Sequence, residues 1–207
     1  MSGGASPGGA ALGPVVLNGR HIRLEPLRPE HGPRLLAAAA APEIWTWMPA
    51  APRSEAAMTE WIAAAMAAER EGREYAFAVI GQRDARAIGS TRYLEVEAAH
   101  RGVEIGWTWY AVDTWGTVVN PEAKLLLLRH AFETWGAHRV QLKTDRLNAR
   151  SQAAIRKLGA SLEGTLRHHR IRPDGSLRDS MVFSIIAPEW PAVSATLRRR
   201  IDAGAQP

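Results

Sequence analysis

The 207-residue sequence has no cysteine. Disulfides, thiolate zinc sites and a cysteine nucleophile are therefore excluded, and a cytoplasmic protein is the natural expectation. Long apolar runs are also missing. No stretch approaches the ~18 residues of a membrane span, so no membrane partner is expected. The opening MSGGASPGGAALGP lacks both a basic cluster and an apolar run, which argues against a signal peptide. It has little to bury, so residues 1–14 are expected to be a disordered tail. What the chain does have is a net charge of +5 and eight tryptophans. The charge suits a phosphate-bearing cofactor, an acidic substrate or RNA, and equally a solvated basic surface. Large aromatics fill cores, and some can line an acceptor pocket.

Periodicity outlines one domain over residues 15–195, followed by a C-terminal extension at 196–207. HIRLEPL at 21–27 alternates as a strand does, and Pro29-Glu30 opens a helix to about Ala40. The linker APEIWTWMPAAPRS sets Trp45, Trp47 and Met48 between prolines, on irregular chain. These side chains either plug the end of the core or wall an acceptor pocket. Ser54 caps a second helix, with Met58, Trp61, Ile62, Ala65 and Met66 at helical spacing. Strands follow at about 75–80, 87–97 and 103–111. Next come a helix at 121–135 stopped by Gly136, a strand at 139–145, and a helix at 149–158 stopped by Gly159. A hairpin closes the chain, with arms at about 162–172 and 177–187. Antiparallel strands run together before a strand–helix–strand unit, so the class is α+β.

The segment Trp109–Ala160 carries the chemistry. Asn120-Pro121 reads as an N-cap and first helical residue after a loop containing Gly116. Free N–H groups over about 116–122 (Gly116, Thr117, Val118, Val119, Asn120 and Glu122) and the helix dipole favour a diphosphate. Asn148 opens a second helix after the next strand. In strand 103–111, simple alternation sets Glu104 opposite Ile105, Trp107 and Trp109. A carboxylate there is either functional or paired with a cation. His168 and His169 are adjacent and diverge, so no metal site is expected.

The string N-x-R-S-x-x-A-I-x-x-L-G at 148–159, preceded by a loop and helix and then a strand, resembles the GNAT N-acetyltransferase superfamily. EIGWTW, NPEAKLLLLRHAFE and LKTD-x-x-N-x-R-S, with the DG-x-x-R-D turn, are closest to its RimJ/RimL-like branch. The resemblance runs from about His21 to Trp190. It implies an α/β/α layered fold with a mixed, mostly antiparallel sheet splayed between the fourth and fifth strands. It also implies acetyl-CoA as co-substrate and a primary amine as acceptor, either a protein N-terminus (a ribosomal protein included) or a small molecule. A homodimer fits the habits of such relatives. Two departures stand out. The usual Q/R-x-x-G-x-G/A loop has Trp115, Val118 and Asn120 at its motif positions, and the usual acid, a tyrosine, is replaced by Ile155.

By this resemblance the thioester oxygen is held by a backbone N–H near Trp109 to Ala111. Acyl transfer to an amine needs a base, a polarised carbonyl and a proton for the thiolate. Glu104 is the first candidate base. Ser151 is the candidate acid, with capping or a pantetheine contact as its alternative role. Tyr110 is a further donor, and Asp179 a candidate for holding the acceptor ammonium. Arg150 and Lys157 either meet the adenosine 3′-phosphate or form a solvated face. Trp45, Trp47 and Trp107 are candidate acceptor contacts. The competing reading is a non-catalytic GNAT-fold module that binds CoA, a nucleotide or RNA.

Overall fold

A computed structural model of the chain describes residues 11–204. The apolar alternation read from the sequence becomes one eight-stranded sheet ordered β1-β2-β3-β4-β5-β6-β8-β7. The strands are β1 (Leu17–Asn18), β2 (Ile22–Pro26), β3 (Tyr75–Gly81), β4 (Ala87–Glu97), β5 (Gly102–Tyr110), β6 (Arg139–Asp145), β7 (Ser161–Ile171) and β8 (Leu177–Ile186). Every neighbouring pair is antiparallel except β5–β6. The helices are α1 (Gly32–Ala38), α2 (Glu55–Arg70), α3 (Val119–Arg129), α4 (Ala149–Arg156) and α5 (Trp190–Gly204). None of the described helices is long and apolar enough to cross a membrane.

The two faces of the sheet bury separate cores. On one, Leu35, Met58, Trp61 and Ile62 from α1 and α2 pack with Ala78, Ile80 and Trp109. On the other, Leu127 and Leu128 of α3 and Leu197 and Ile201 of α5 pack with Phe77, Tyr93 and Ile105. This is the expected α/β/α layering. Tyr93 is fully buried, and its hydroxyl donates to the Leu127 carbonyl at 2.5 Å, which satisfies its one polar atom and ties β4 to α3. Ser54 caps α2 as its sequence predicts, accepting from the Ala57 N–H at 3.2 Å.

The structure moves several expected boundaries. Only part of the expected tail is described, since residues 1–10 lie outside the described residues. Leu12 is in the core, and its carbonyl is 3.0 Å from His130 Nε2, so residues 11–14 are not a free tail. Residue 195 marks no break either, because α5 runs through it and buries Leu197 and Ile201. Pro29–His31 forms a 3-10 turn before α1, and Pro42–Trp45 forms another in the tryptophan linker. α3 starts at Val119 rather than Pro121 and passes through a π turn to Gly136, whose φ of 79° ends it.

Candidate functional site

β5 and β6 run parallel but pair only where Gly102, Val103 and Glu104 meet Arg139, Val140 and Gln141. Beyond Glu104 they diverge, which is the expected splay, one strand later in the count because Leu17–Asn18 adds a strand. The gap opens a cleft of about 1310 Å³. Its walls come from β5, the end of β6, α4, the loop before α3 and the tryptophan linker.

A β-bulge shapes the β5 wall. Ser90 pairs with Trp109, but the next pair is Arg92 with Gly106, so Trp107 and Thr108 together oppose Thr91. Trp107 takes the extra turn at φ 48°. The bulge breaks the alternation expected from sequence. Ile105 packs into the α3 side, whereas Trp109 packs into the α2 side with Trp107 against it. Glu104 is therefore not across the sheet from Trp107 and Trp109. The bulge also reassigns the backbone donors. The Ala111 N–H donates to the Ile88 carbonyl at 2.8 Å, toward β4. Strand alternation turns the Trp109 N–H the same way and points those of Thr108 and Tyr110 into the splay. The Ala111 N–H is thus taken up by β4 and is not free for the thioester donor role expected of it.

The loop before α3 is tightly self-bonded. The N–H groups of Thr114, Trp115 and Thr117 go to loop carbonyls, and that of Val119 goes to Thr117 Oγ1 at 3.3 Å. Among the described residues, the N–H groups of Gly116, Val118 and Asn120 have no internal partner. Gly116 reaches φ 80°, a conformation that favours glycine, and lines the cleft. Thr117 is exposed and Val119 is buried in the core, and neither faces the cleft. Asn120 is not the N-cap. Val118 holds the cap position without a side-chain cap, and Asn120 Oδ1 instead accepts from the Tyr110 hydroxyl at 3.3 Å inside the cleft. Burial pushes the Tyr110 phenol well above its ordinary range. Glu122 is a clear correction. It is buried and accepts from the backbone N–H groups of Arg20, His21 and Ile22 at 2.6, 2.9 and 3.0 Å. That carboxylate fixes the turn before β2 and is not open to a cofactor.

α4 begins as expected, with Asn148 Oδ1 accepting from the Ser151 N–H at 3.0 Å. Ser151 and Ile155, one helical turn apart, both line the cleft. Arg150 is exposed at the rim, with its guanidinium 3.7 Å from the centre of the Trp115 ring. Lys157 lies outside the cleft, on the exposed end of α4.

At the narrow end of the splay, Glu104 is buried and pairs with Lys143 at 2.8 Å. Lys143 also reaches Glu95 at 2.8 Å. Burial raises the Glu104 pKa against the opposing pull of Lys143, while Glu95 is held lower. One cation between two carboxylates leaves Glu104 the easier to protonate. Asp179 faces away from the cleft, where it accepts from the His168 N–H at 2.9 Å and pairs with Arg146 at 3.2 Å. Period-2 alternation brings its neighbours Arg178 and Ser180 to the cleft instead. Asp145 is tied by two bonds from Arg172, at 2.7 and 3.0 Å. Trp45, Trp47 and Trp107 all line the cleft. Trp45 donates to the Ala39 carbonyl at 2.8 Å and lies 5.2 Å from Trp109, so it is both core plug and wall. Among the described residues no cluster suited to a metal ion occurs.

Lys124 was missed by sequence reasoning. It is buried, lines the cleft, and donates to Thr108 Oγ1 at 2.9 Å. The signal available was its spacing, one helical turn after Asn120 on the same face.

Residues 21–161 match the acetyltransferase (GNAT) domain family. An acetyltransferase crystal structure from T. thermophilus is 38% identical, with a TM-score of 0.82 over 91% of this chain and 97% of its own. A GCN5-related N-acetyltransferase from Brucella melitensis is 26% identical, with a TM-score of 0.85 over 93% and 90%. Mycobacterium smegmatis RimJ, solved with a CoA-disulfide, is 23% identical, with a TM-score of 0.76 over 88% and 89%, and shares the fold. No curated protein matches. With its splayed parallel pair and the loop and helix that follow, the chain belongs to the GNAT family of acetyltransferases, with acetyl-CoA as co-substrate.

Proposed function

We propose that the chain transfers the acetyl group of acetyl-CoA to a primary amine by direct attack within a ternary complex. The observation that carries this reading is the splay itself. It is a slot between β5 and β6, open at one end to the free N–H groups of Gly116 and Asn120 and closed at the other by Glu104. A pantetheine arm fits such a slot, with its pyrophosphate at the loop and Arg150 beside it at the rim. The Thr108 and Tyr110 N–H groups polarise the thioester oxygen. Glu104, reached through water, takes the acceptor proton. An α-amine of pKa near ~8 needs no stronger base. Ser151 Oγ donates a hydrogen bond to the sulfur. Trp45, Trp47 and Trp107 give the acceptor side an aromatic wall, which suits an N-terminal peptide or a small amine with a flat apolar part.

An acceptor screen that follows free CoA thiol tests this reading. Peptides with free N-termini, polyamines, aminoglycosides and aminoacyl nucleosides are offered with acetyl-CoA and, in parallel, succinyl-CoA. Thiol release that requires a primary amine is the expected result. Micromolar acetyl-CoA binding by calorimetry without turnover of any amine would instead favour a non-catalytic binding module.

A further inference from the structure

The transfer ends with a thiolate, and the group that usually protonates it is absent at Ile155. A serine hydroxyl can hydrogen-bond the sulfur, but its own proton is held far too tightly to be given up. The cleft does contain a group that can give one up. Lys124 projects from α3 toward β5, and its Nζ donates to Thr108 Oγ1 at 2.9 Å, with Thr91 Oγ1 a further 2.8 Å along. Thr108 is in the bulge whose backbone faces the splay.

Buried lysines are ordinarily paired with a carboxylate. Lys124 has none among the described residues. Glu122, two residues earlier on α3, is taken up by the backbone of residues 20–22. On β5, Glu104 is engaged by Lys143, and the Tyr110 hydroxyl is bonded to Asn120. On β4, Tyr93 is bonded to the Leu127 carbonyl and Arg92 to Glu74. On β2, Arg23 and Glu25 pair with each other. His130, beyond α3, meets the Leu12 carbonyl, and on α5 Asp202 pairs with Arg20 in solvent. At the end of β6, Asp145 is held by Arg172, and on α4 Arg150 lies on Trp115. Desolvation with no compensating charge brings the Lys124 pKa down to about 7.

We propose that Lys124 is the general acid that delivers a proton to the departing CoA sulfur. The inference rests on the acetyl-transfer reading. The acceptor nitrogen, having lost one proton toward Glu104, forms its bond to the acetyl carbonyl carbon. The carbon–sulfur bond then breaks, with its electron pair going to sulfur. The Lys124 ammonium gives that sulfur a proton and becomes a neutral amine. The proton shed by the newly acylated nitrogen passes through solvent and restores the ammonium. The products are the amide and the CoA thiol, with one net proton released for each acceptor that enters as an ammonium.

The test uses the full chain, acetyl-CoA and an acceptor from the screen. Lys124→Met is expected to bind acetyl-CoA within three-fold of the parent by calorimetry and to lose on the order of 10²-fold in kcat. Lys124→Arg keeps the charge but cannot release a proton, so it should not restore the rate. The parent's kcat should fall as pH rises and Lys124 deprotonates. Thr108→Val removes the acceptor of the ammonium hydrogen bond, so that descending limb should move to lower pH. A Lys124→Met rate within three-fold of the parent, or rescue by Lys124→Arg, would overturn the assignment and leave the transfer reading standing. If the lysine variants fail to fold, an unmoved limb in Thr108→Val overturns it. A parent that turns over no amine removes the transfer reading, and this inference with it.

Discussion

Glu122 and Lys124 stand two positions apart on α3, both ionisable and both buried, and their environments give them opposite tasks. Glu122 is saturated by three backbone donors. Lys124 has one neutral partner. A saturated buried carboxylate is architecture, because removing it orphans the N–H groups it served. Glu122→Ala should therefore lower stability by roughly 3 kcal/mol in denaturant unfolding and leave acetyl-CoA affinity near that of the parent. A loss below about 1 kcal/mol, or weaker binding with little loss of stability, would return Glu122 to the cofactor.

At the scale of elements, what the sequence made legible was local. Ser54 and Asn148 were recognisable as caps because a cap is decided by a few adjacent residues. Gly136 as a helix stop is equally local. The start of α3 was not, because Thr117 and Asn120 are both acceptable caps. The Tyr110 hydroxyl, from another element, occupies Asn120. The bulge in β5 was also hidden. It exists only through pairing with β4, and nothing in EIGWTW marks where the extra residue sits. Asp179 and Lys157 lie off the cleft for a related reason, since the facing of a strand or helix end is fixed by its neighbours.

One element-level contact titrates. Asp145, at the end of β6, clasps Arg172 of the β7–β8 turn. Burial pushes the Asp145 carboxyl up, but the Arg172 hydrogen bonds, the Leu147 N–H and nearby arginine charge outweigh it and hold it low. A carboxyl lowered by folding stabilises the fold above its unfolded pKa, and that contribution drains away as pH falls through the folded value. Stability should thus decline below about pH 4. Asp145→Asn should be about 3 kcal/mol less stable at neutral pH and show a flatter acid limb. Hydrogen exchange should place its loosening first in β7 and β8. An unchanged acid limb in Asp145→Asn would show that this clasp does not govern the hairpin.

For the whole molecule, the sheet is continuous in order but not in bonding, since three residue pairs alone join β5 to β6. The α3-side core spans that seam, with Val103 and Ile105 on one side and Leu142 and Phe183 on the other. A ligand in the slot supplies the bridge that the backbone does not. At about 100 times Kd, acetyl-CoA should add about 2.7 kcal/mol, which for a chain of this size raises Tm by roughly 5–10 °C. A shift below about 2 °C at that excess would mean that acetyl-CoA does not bind the folded chain selectively.

The two residues facing Thr91 act as a phase shift in β5. Upstream of them the strand keeps one rhythm, and downstream it keeps the inverse. Deleting one residue of 107–108 would restore a uniform rhythm and leave Trp109 and Tyr110 on their present sides, whereas flattening the bulge with every residue kept would exchange those sides. An indole fitted to the α2 core and a phenol fitted to Asn120 would each be delivered to the other's place. The slot's chemistry thus depends on the register held at this point as strictly as on side-chain identity.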